Sequence, residues 1–223
     1  MAINIQLQDF TAIIHRTSLQ NGGKFDNIHV ETLIVTDQPI PSEETWYIPN
    51  SKPIDPMFKY IFENTKIYPV PTHASLIQER INGFNDALQQ ATTGNDEETK
   101  KDITTLALLS VLSKTTLKPI ESTVNTYLLS YDYKLFPVEP NSNIFELKVT
   151  LPFPGFIIPD NGDEIQITVV TPIGAIIDQA NTIGIDTNGN TITAQYANFP
   201  NSRKQAVSFQ YKIDPTFTVR YHY

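Results

Sequence analysis

The chain has 223 residues and a formal net charge of −8, with 40% hydrophobic and 18% charged residues. This hydrophobic share is enough for a packed core, which excludes a globally disordered chain. The acidic balance, without any cluster of lysine or arginine, argues against a nucleic-acid backbone as partner. Cysteine is absent, which excludes disulfides and thiolate chemistry and removes the commonest ligand of structural zinc.

The N-terminal segment predicts the beginning of a β framework. Apolar and polar residues alternate over residues 3–7, and residues 28–36 form a second strand rich in β-branched side chains. A loop with five prolines follows at residues 37–56, and it contains Trp46 and Tyr47. Because proline removes a backbone donor and restricts the residue before it, this loop is predicted to be extended and to run over the surface.

Helical patterns dominate residues 53–131. Asp55-Pro56 is typical of a helix start, where a capping side chain precedes proline in the first turn. Apolar residues recur every three or four positions over residues 74–91, again after Asn95 and again after Pro119. The sequence therefore predicts a helical segment between two sets of strands.

The last third of the chain predicts a series of short strands. Apolar residues alternate with polar ones, so that each strand can bury one face. The alternating runs are residues 145–151, 165–169, 173–177, 183–185, 192–196, 207–213 and 217–223. Turn-forming residues separate the runs, among them Asn188-Gly189, a dipeptide that tolerates the positive φ of a tight hairpin. Short strands at this spacing are typical of an antiparallel sandwich or barrel.

Together these patterns predict a mainly β protein with α-helices (α+β), built as an antiparallel β-sandwich framework with a helical insertion. Residues 1–52 are assigned to the N-terminal strands and proline-rich loop of the framework, residues 53–131 to the helical insertion, and residues 132–223 to the C-terminal strands of the sandwich. An insertion is preferred to a separate N-terminal domain because the strand at 28–36 needs sheet partners, and their nearest abundant supply lies after residue 132.

The sequence contains no motif for catalysis, so the protein is predicted not to be an enzyme and to use no cofactor. Its four histidines are not at metal-ligand spacing. A serine nucleophile elbow, a phosphate-binding glycine loop and a dinucleotide fingerprint are all missing. Carboxylates that meet only in space, as in glycosidases, stay open.

One loop is a candidate calcium site. Asp160, Asp163 and Glu164 place hard oxygen ligands close together, as calcium prefers. An ordinary acidic turn also explains these residues, and it is the preferred interpretation.

Two aromatic pairs are candidates for a protein interface. Trp46 and Tyr47 lie in the proline-rich loop, and large amphipathic aromatics dominate binding hot spots. Tyr221 and Tyr223 lie in the final strand, which could extend a neighbour's sheet. The alternatives are a loop pinned by one buried ring and an edge strand within the same chain.

The Asn188-Gly189 hairpin and the strand-rich end of the chain resemble those of structural proteins of tailed-phage virions. The resemblance implies a non-enzymatic subunit of a neck, tail, baseplate or capsid-accessory assembly, in a homo-oligomeric ring or other symmetric arrangement. The implied partners are copies of itself and other virion proteins, without nucleic-acid contact and without a membrane. The implied location is the virion, assembled in the host cytoplasm, in keeping with the lack of a recognisable signal peptide or transmembrane segment.

The order of elements also resembles that of the Cyt cytolytic toxins, with a strand at residues 29–36, then helices, then alternating strands. This resemblance implies a pore-forming toxin that acts on membranes. A membrane-spanning strand needs about 9–11 residues, and only residues 142–151, 190–198 and 205–213 approach that length. A third interpretation, a carbohydrate-binding or carbohydrate-cleaving sandwich, needs clustered exposed aromatics and paired carboxylates.

Overall fold

The computed structural model describes residues 3–50, 71–82, 107–150, 156–157, 165–211 and 215–223, with single gaps at residues 76, 80, 108, 122, 140 and 187. Regular structure in these residues is mainly β. The strands are β1 (Ile3–His15), β2 (Asp26–Thr36), β3 (Trp46–Pro49), β4 (Thr72–His73), β5 (Leu112–Thr115), β6 (Thr126–Leu135), β7 (Ile144–Thr150), β8 (Phe156–Ile157), β9 (Ile165–Val170), β10 (Ile176–Ile177), β11 (Ile183–Asp186), β12 (Thr191–Ile192), β13 (Ala194–Phe199), β14 (Lys204–Tyr211) and β15 (Pro215–His222). Helical residues in the described part lie at 74–75, 77–79, 81–82, 107 and 109, beside 3-10 turns at Ser18–Gln20 and Pro200–Ser202.

The largest sheet has seven strands in the order β13-β14-β9-β1-β2-β6, with β8 also paired to β1. Its pairs are antiparallel except for β1–β9 and β1–β8, which are parallel. On β2 every second residue is buried, as the alternation in the sequence predicts. The strand predicted at residues 3–7 extends to His15. A register shift between Ile5 and Leu7 changes the phase of the alternation, and the buried residues beyond it are Gln8, Phe10, Ala12 and Ile14.

A second sheet has five strands, and β15 lies inside it. β7 pairs along one side of β15 over residues 144–150. β11 and β10 pair with successive parts of β15 along its other side. The final strand is therefore not an edge strand, contrary to one of the sequence-based alternatives.

The two large sheets share one hydrophobic core. The rings of Phe209 and Tyr211, on β14, lie 4.8 and 4.7 Å from the ring of Phe217, on β15. Full burial of one such aromatic side chain contributes roughly 1.5–3 kcal/mol to stability. The alternation predicted at 207–213 and 217–223 therefore identifies the side chains through which the two sheets touch.

A third sheet, in the order β4-β3-β5, corrects the prediction for residues 37–56. Residues 46–49 form a strand instead of an extended surface loop. Trp46 is 1% exposed and belongs to the same core. Its indole is large enough to hold a short strand against the core despite the neighbouring prolines, which matches the alternative of one buried ring.

The helix predicted after Pro119 is wrong, because residues 126–135 form strand β6. The apolar face of the predicted helix contains Tyr127, which is buried. It also contains three residues that are exposed, namely Ile120, Val124 and Leu128. The period of two is the pattern that burial follows, since every second residue from Tyr127 to Leu135 is buried.

The other helical predictions fall only partly on described residues. Residues 74–82 are helical where they are described, and Ile77 is buried as its periodicity predicts. The helix predicted after Asn95 has helical residues at 107 and 109, but Leu112 already begins β5. The helix start at Asp55-Pro56 lies outside the described residues.

Candidate functional site

The outer edge of the seven-stranded sheet is formed by β13, which is exposed on both faces. Ala194 is half-buried and the next five residues are all exposed. Tyr196 and Phe199 are 37% and 47% exposed. One side of β13 pairs with β14 over six residue pairs. Its other side has no strand partner in the part of the chain that the structure describes.

The sequence of this edge lacks charge and proline, two features by which natural sheets prevent edge-to-edge pairing. The sequence of β13, Ala-Gln-Tyr-Ala-Asn-Phe, contains no charged residue and no proline. Burial and the nearby Asp178 raise the pKa of Tyr196, so the phenol stays neutral at physiological pH. An uncharged, partly aromatic edge with unpaired backbone groups is a template for another strand.

Gln205 fixes the position of this edge. Its side-chain N–H donates to Asn198 Oδ1 at 2.8 Å, and its Oε1 accepts the backbone N–H of Ile177 at 2.6 Å. Gln205 also sits opposite Asn198 in the β13–β14 ladder. One amide therefore links β13 to β14 and to β10, so the edge is presented on a fixed support.

The four aromatic residues predicted as interface candidates are placed differently. Trp46 and Tyr221 are buried, at 1% and 0% exposure, and their side chains face the core. Tyr47 and Tyr223 are half-buried. Burial leaves only Tyr47 and Tyr223 with exposed atoms, so an interface role for these two stays a prediction.

Tyr221 and Tyr223 instead meet a buried carboxylate. Asp26 Oδ1 accepts the backbone N–H of Ser18 at 2.9 Å, and Oδ2 accepts the hydroxyls of Tyr221 and Tyr223 at 2.8 and 2.7 Å. Burial raises the pKa of Tyr221 and, together with Asp26, that of Tyr223, so both phenols remain donors. The guanidinium of Arg16 lies 4.1 Å from the Tyr223 ring centre. This cluster ties β15 to β2.

A second polar cluster lies on the outer surface of β2 and β6. His29 Nδ1 is 2.9 Å from Asp132 Oδ1, and His29 Nε2 is 3.4 Å from Glu31 Oε1. The hydrogen bond to Asp132 raises the pKa of His29, against a smaller opposing effect of burial. The cluster favours the charged imidazole without forming a metal site.

A third polar cluster joins β4 to the loop before β3. His73 Nε2 lies 2.5 Å from Glu44 Oε2, and His73 Nδ1 lies 2.7 Å from Ser75 Oγ. The edge of the Trp46 ring packs against the imidazole, with ring centres 5.4 Å apart. Motif searches missed this group because Glu44 is separated from His73 by 29 positions. The close pair His73 and Ser75 was the only sequence signal.

An open cleft of about 740 Å³ lies between the small sheet and β6. Its walls include Lys114, Lys118 and several hydroxyl groups, with Leu128 and Leu129 among the apolar residues. Its volume is within the range of small-molecule sites. The described residues that line it include no aromatic side chain, so they do not supply the exposed aromatics that a carbohydrate-binding protein needs.

The predicted calcium loop, with Asp160, Asp163 and Glu164, lies outside the described residues. Among the residues that the structure does describe, no group of three or more His, Asp or Glu side chains is placed to hold a metal ion. The same residues include no helix with the length and apolar character needed to cross a bilayer.

Comparison with known proteins gives no match: no family model, no curated protein and no solved structure is similar to this chain.

Proposed function

We propose that the chain is a non-enzymatic structural subunit of a virion or similar large assembly, such as a neck, tail, baseplate or capsid-accessory protein. The observation that carries the proposal is the unprotected edge of β13. Proteins that stay monomeric blunt such edges with charge, proline or a covering loop. An uncharged edge on a chain of net charge −8 favours contact with another protein.

The proposed framework is a β-sandwich whose two halves are the seven-stranded and five-stranded sheets. The shared core and the ring contacts between β14 and β15 support this arrangement. The proposed helical insertion ends before β6, because β6 runs as one strand through the boundary that the sequence suggested at residues 131–132. Strands β4 and β5 of the small sheet lie within residues 53–131, so the proposed insertion contains strands as well as helical residues.

The proposed partner at β13 is a second copy of the chain. A two-fold axis beside the middle of β13, on its unpaired side, would place two such strands antiparallel, so that each supplies the backbone groups that the other lacks. No like charges would face each other across this contact, because β13 carries none. Tyr196 and Phe199 would be covered in both copies, which adds apolar burial to the backbone hydrogen bonds.

The experiment is mass photometry and size-exclusion chromatography with light scattering over a concentration series. The full chain is expected to form a defined oligomer, and Tyr196→Lys is expected to weaken it at least tenfold by placing like charges at the pairing edge. Leu19→Lys is the matched control, since Leu19 is 66% exposed and lies in a 3-10 turn away from β13.

A strict monomer at high concentration, with no partner retained from a lysate, would contradict the assembly role. An oligomer that Tyr196→Lys leaves unchanged would retain the assembly role but exclude β13 as its contact.

The alternative proposal, a pore-forming toxin resembling the Cyt proteins, gains one observation. β1, β2 and β6 have 13, 11 and 10 residues, which reaches the length of about 9–11 residues that a spanning strand needs. The outer surface of β2 and β6 nevertheless carries His29, Glu31 and Asp132. Dye release from liposomes at low protein concentration would favour this alternative, and intact liposomes would exclude it.

A further inference from the structure

The Glu44–His73–Ser75 cluster has the geometry of an activated nucleophile. β4 ends at His73 and helical residues begin at Ala74, so Ser75 stands in the first turn after the strand. His73 sits opposite Trp46 in the β3–β4 ladder, and the Trp46 ring packs against its imidazole. The backbone N–H of Ala74 donates to the Thr45 carbonyl at 2.9 Å, which fixes the strand end beside Glu44.

The hydrogen bonds define which nitrogen of His73 carries the proton. Nδ1 lies 2.7 Å from Ser75 Oγ, and it lies 3.3 Å from the Ser75 backbone nitrogen, whose N–H points to it. A backbone N–H can only donate, so Nδ1 must accept. The remaining proton is then on Nε2, where it is donated to the Glu44 carboxylate at 2.5 Å. The imidazole thus presents a lone pair to a serine hydroxyl while a carboxylate orients its other side.

We propose that Ser75 is a nucleophile that reacts with carboxylic esters, with His73 as its general base and Glu44 as the residue that positions His73. This arrangement of nucleophile, base and orienting group is the signature of covalent catalysis. The Ser75 side chain is exposed, so the ester must be one presented at the protein surface. A helix cap formed by His73 would explain the contact to the Ser75 backbone N–H. It would not explain the contact of Nδ1 with the Ser75 hydroxyl or the contact of Nε2 with the Glu44 carboxylate.

The reaction is balanced within the cluster and water. Ser75 Oγ attacks the ester carbonyl carbon while its proton passes to His73 Nδ1, and Glu44 stabilises the resulting imidazolium. The bond to the alcohol breaks, and the alcohol leaves with the proton from His73. Water then attacks the acyl-serine with His73 again accepting a proton, which releases the acid and restores Ser75.

The test is labelling of the full chain with a fluorophosphonate, followed by intact mass and peptide mapping. Ser75 Oγ forms a bond to phosphorus, the phosphorus–fluorine bond breaks, and fluoride leaves. One adduct per chain is expected, located at Ser75. Ser42 is an internal control in the same molecule, because its exposed hydroxyl contacts the carboxylate of Glu43 at 3.4 Å without an imidazole.

Variants separate the roles within the cluster. Ser75→Ala is expected to abolish the adduct, and His73→Gln to slow labelling by about 100-fold or more, the usual contribution of a general base. Glu44→Gln is expected to slow labelling while leaving the emission of Trp46, the only tryptophan, unchanged. Ser42→Ala is expected to label at the rate of the unmodified chain.

Absence of an adduct at Ser75, or labelling of Ser75 no faster than of Ser42, would overturn the proposal without any variant. Labelling that His73→Gln leaves unchanged would also overturn it. The inference goes beyond the assembly role proposed above and would replace only its non-enzymatic part. The two tests are separate, since one experiment measures oligomer mass and the other a covalent adduct.

Discussion

β13 and β15 are both aromatic strands near the C-terminal end, yet they have opposite environments. Every second residue of β15 is buried, and β15 has paired strands on both sides. β13 has no buried residue and forms the edge of its sheet. Apolar residues alternate throughout β15, whereas in β13 the alternation ends at Tyr196 because Ala197 and Phe199 lie on the other face. Position within a sheet, and not residue type, therefore decides which aromatic residues build the core and which can meet a partner.

The largest difference between the two strands should appear when one aromatic ring is truncated on each of them. Phe217→Ala in β15 should destabilise the fold by about 3–5 kcal/mol, because the fully buried ring leaves a cavity between Phe209 and Tyr211. Phe199→Ala in β13 should change the free energy of unfolding by no more than about 0.5 kcal/mol. Urea unfolding at low protein concentration measures both values. Equal decreases in the unfolding free energy would show that the two rings contribute equally to the core, contrary to the contrast between the strands.

A smaller effect should come from removing one hydroxyl from each strand. Tyr221→Phe removes a hydrogen bond to the buried carboxylate of Asp26, which should cost about 1–3 kcal/mol. Tyr196→Phe, on the exposed edge, should stay within about 0.5 kcal/mol. Thermal and urea unfolding of the two variants provide the measurement. An unchanged stability of Tyr221→Phe would mean that the Tyr223 hydroxyl is a sufficient donor to Asp26 Oδ2.

The smallest effect should be a pH dependence of the unfolding free energy, caused by His29 on the outer surface of β2. The hydrogen bond to Asp132 raises the pKa of His29 above 6.5, so the folded state holds this proton more tightly than the unfolded chain. The stability that protonated His29 contributes is fully present below its pKa in the unfolded chain. It is lost as pH rises through its higher pKa in the folded state. Because the side chains are 33% and 59% exposed, the contribution is about 0.2–1 kcal/mol.

Comparison of the unmodified chain with His29→Gln across this pH range isolates the contribution. The difference in unfolding free energy should shrink as pH rises. A constant difference would show that the imidazole contributes through packing alone.

The sequence predicted much of the fold because burial on one face imposes a period of two. β2, β7, β9, β14 and β15 all lie within a few residues of their predicted positions. The sequence did not predict the neighbours of each strand. The parallel pairing of β1 with β9 and the edge position of β13 depend on contacts far apart in the chain. Local patterns carry no record of such contacts.

The errors have related causes. The helical spacing over residues 120–128 and the period of two over residues 126–135 both include Tyr127, and pairing with β2 decides for the strand. The prolines around Trp46 predict a surface loop, but burial of its large indole favours a short strand packed against the core. The cluster around His73 could not be predicted, since only the β3–β4 pairing brings Glu44 to the imidazole.

The contacts of Asp26 also have a consequence for folding kinetics. Its hydrogen bonds to Tyr221 and Tyr223 span 195 and 197 positions. Closing so long a loop costs chain entropy before any of these contacts stabilises the product. Proteins dominated by such distant pairings fold in milliseconds to seconds, far more slowly than helical bundles. During synthesis, the contacts between β2 and β15 therefore cannot form until residues 215–223 have been made.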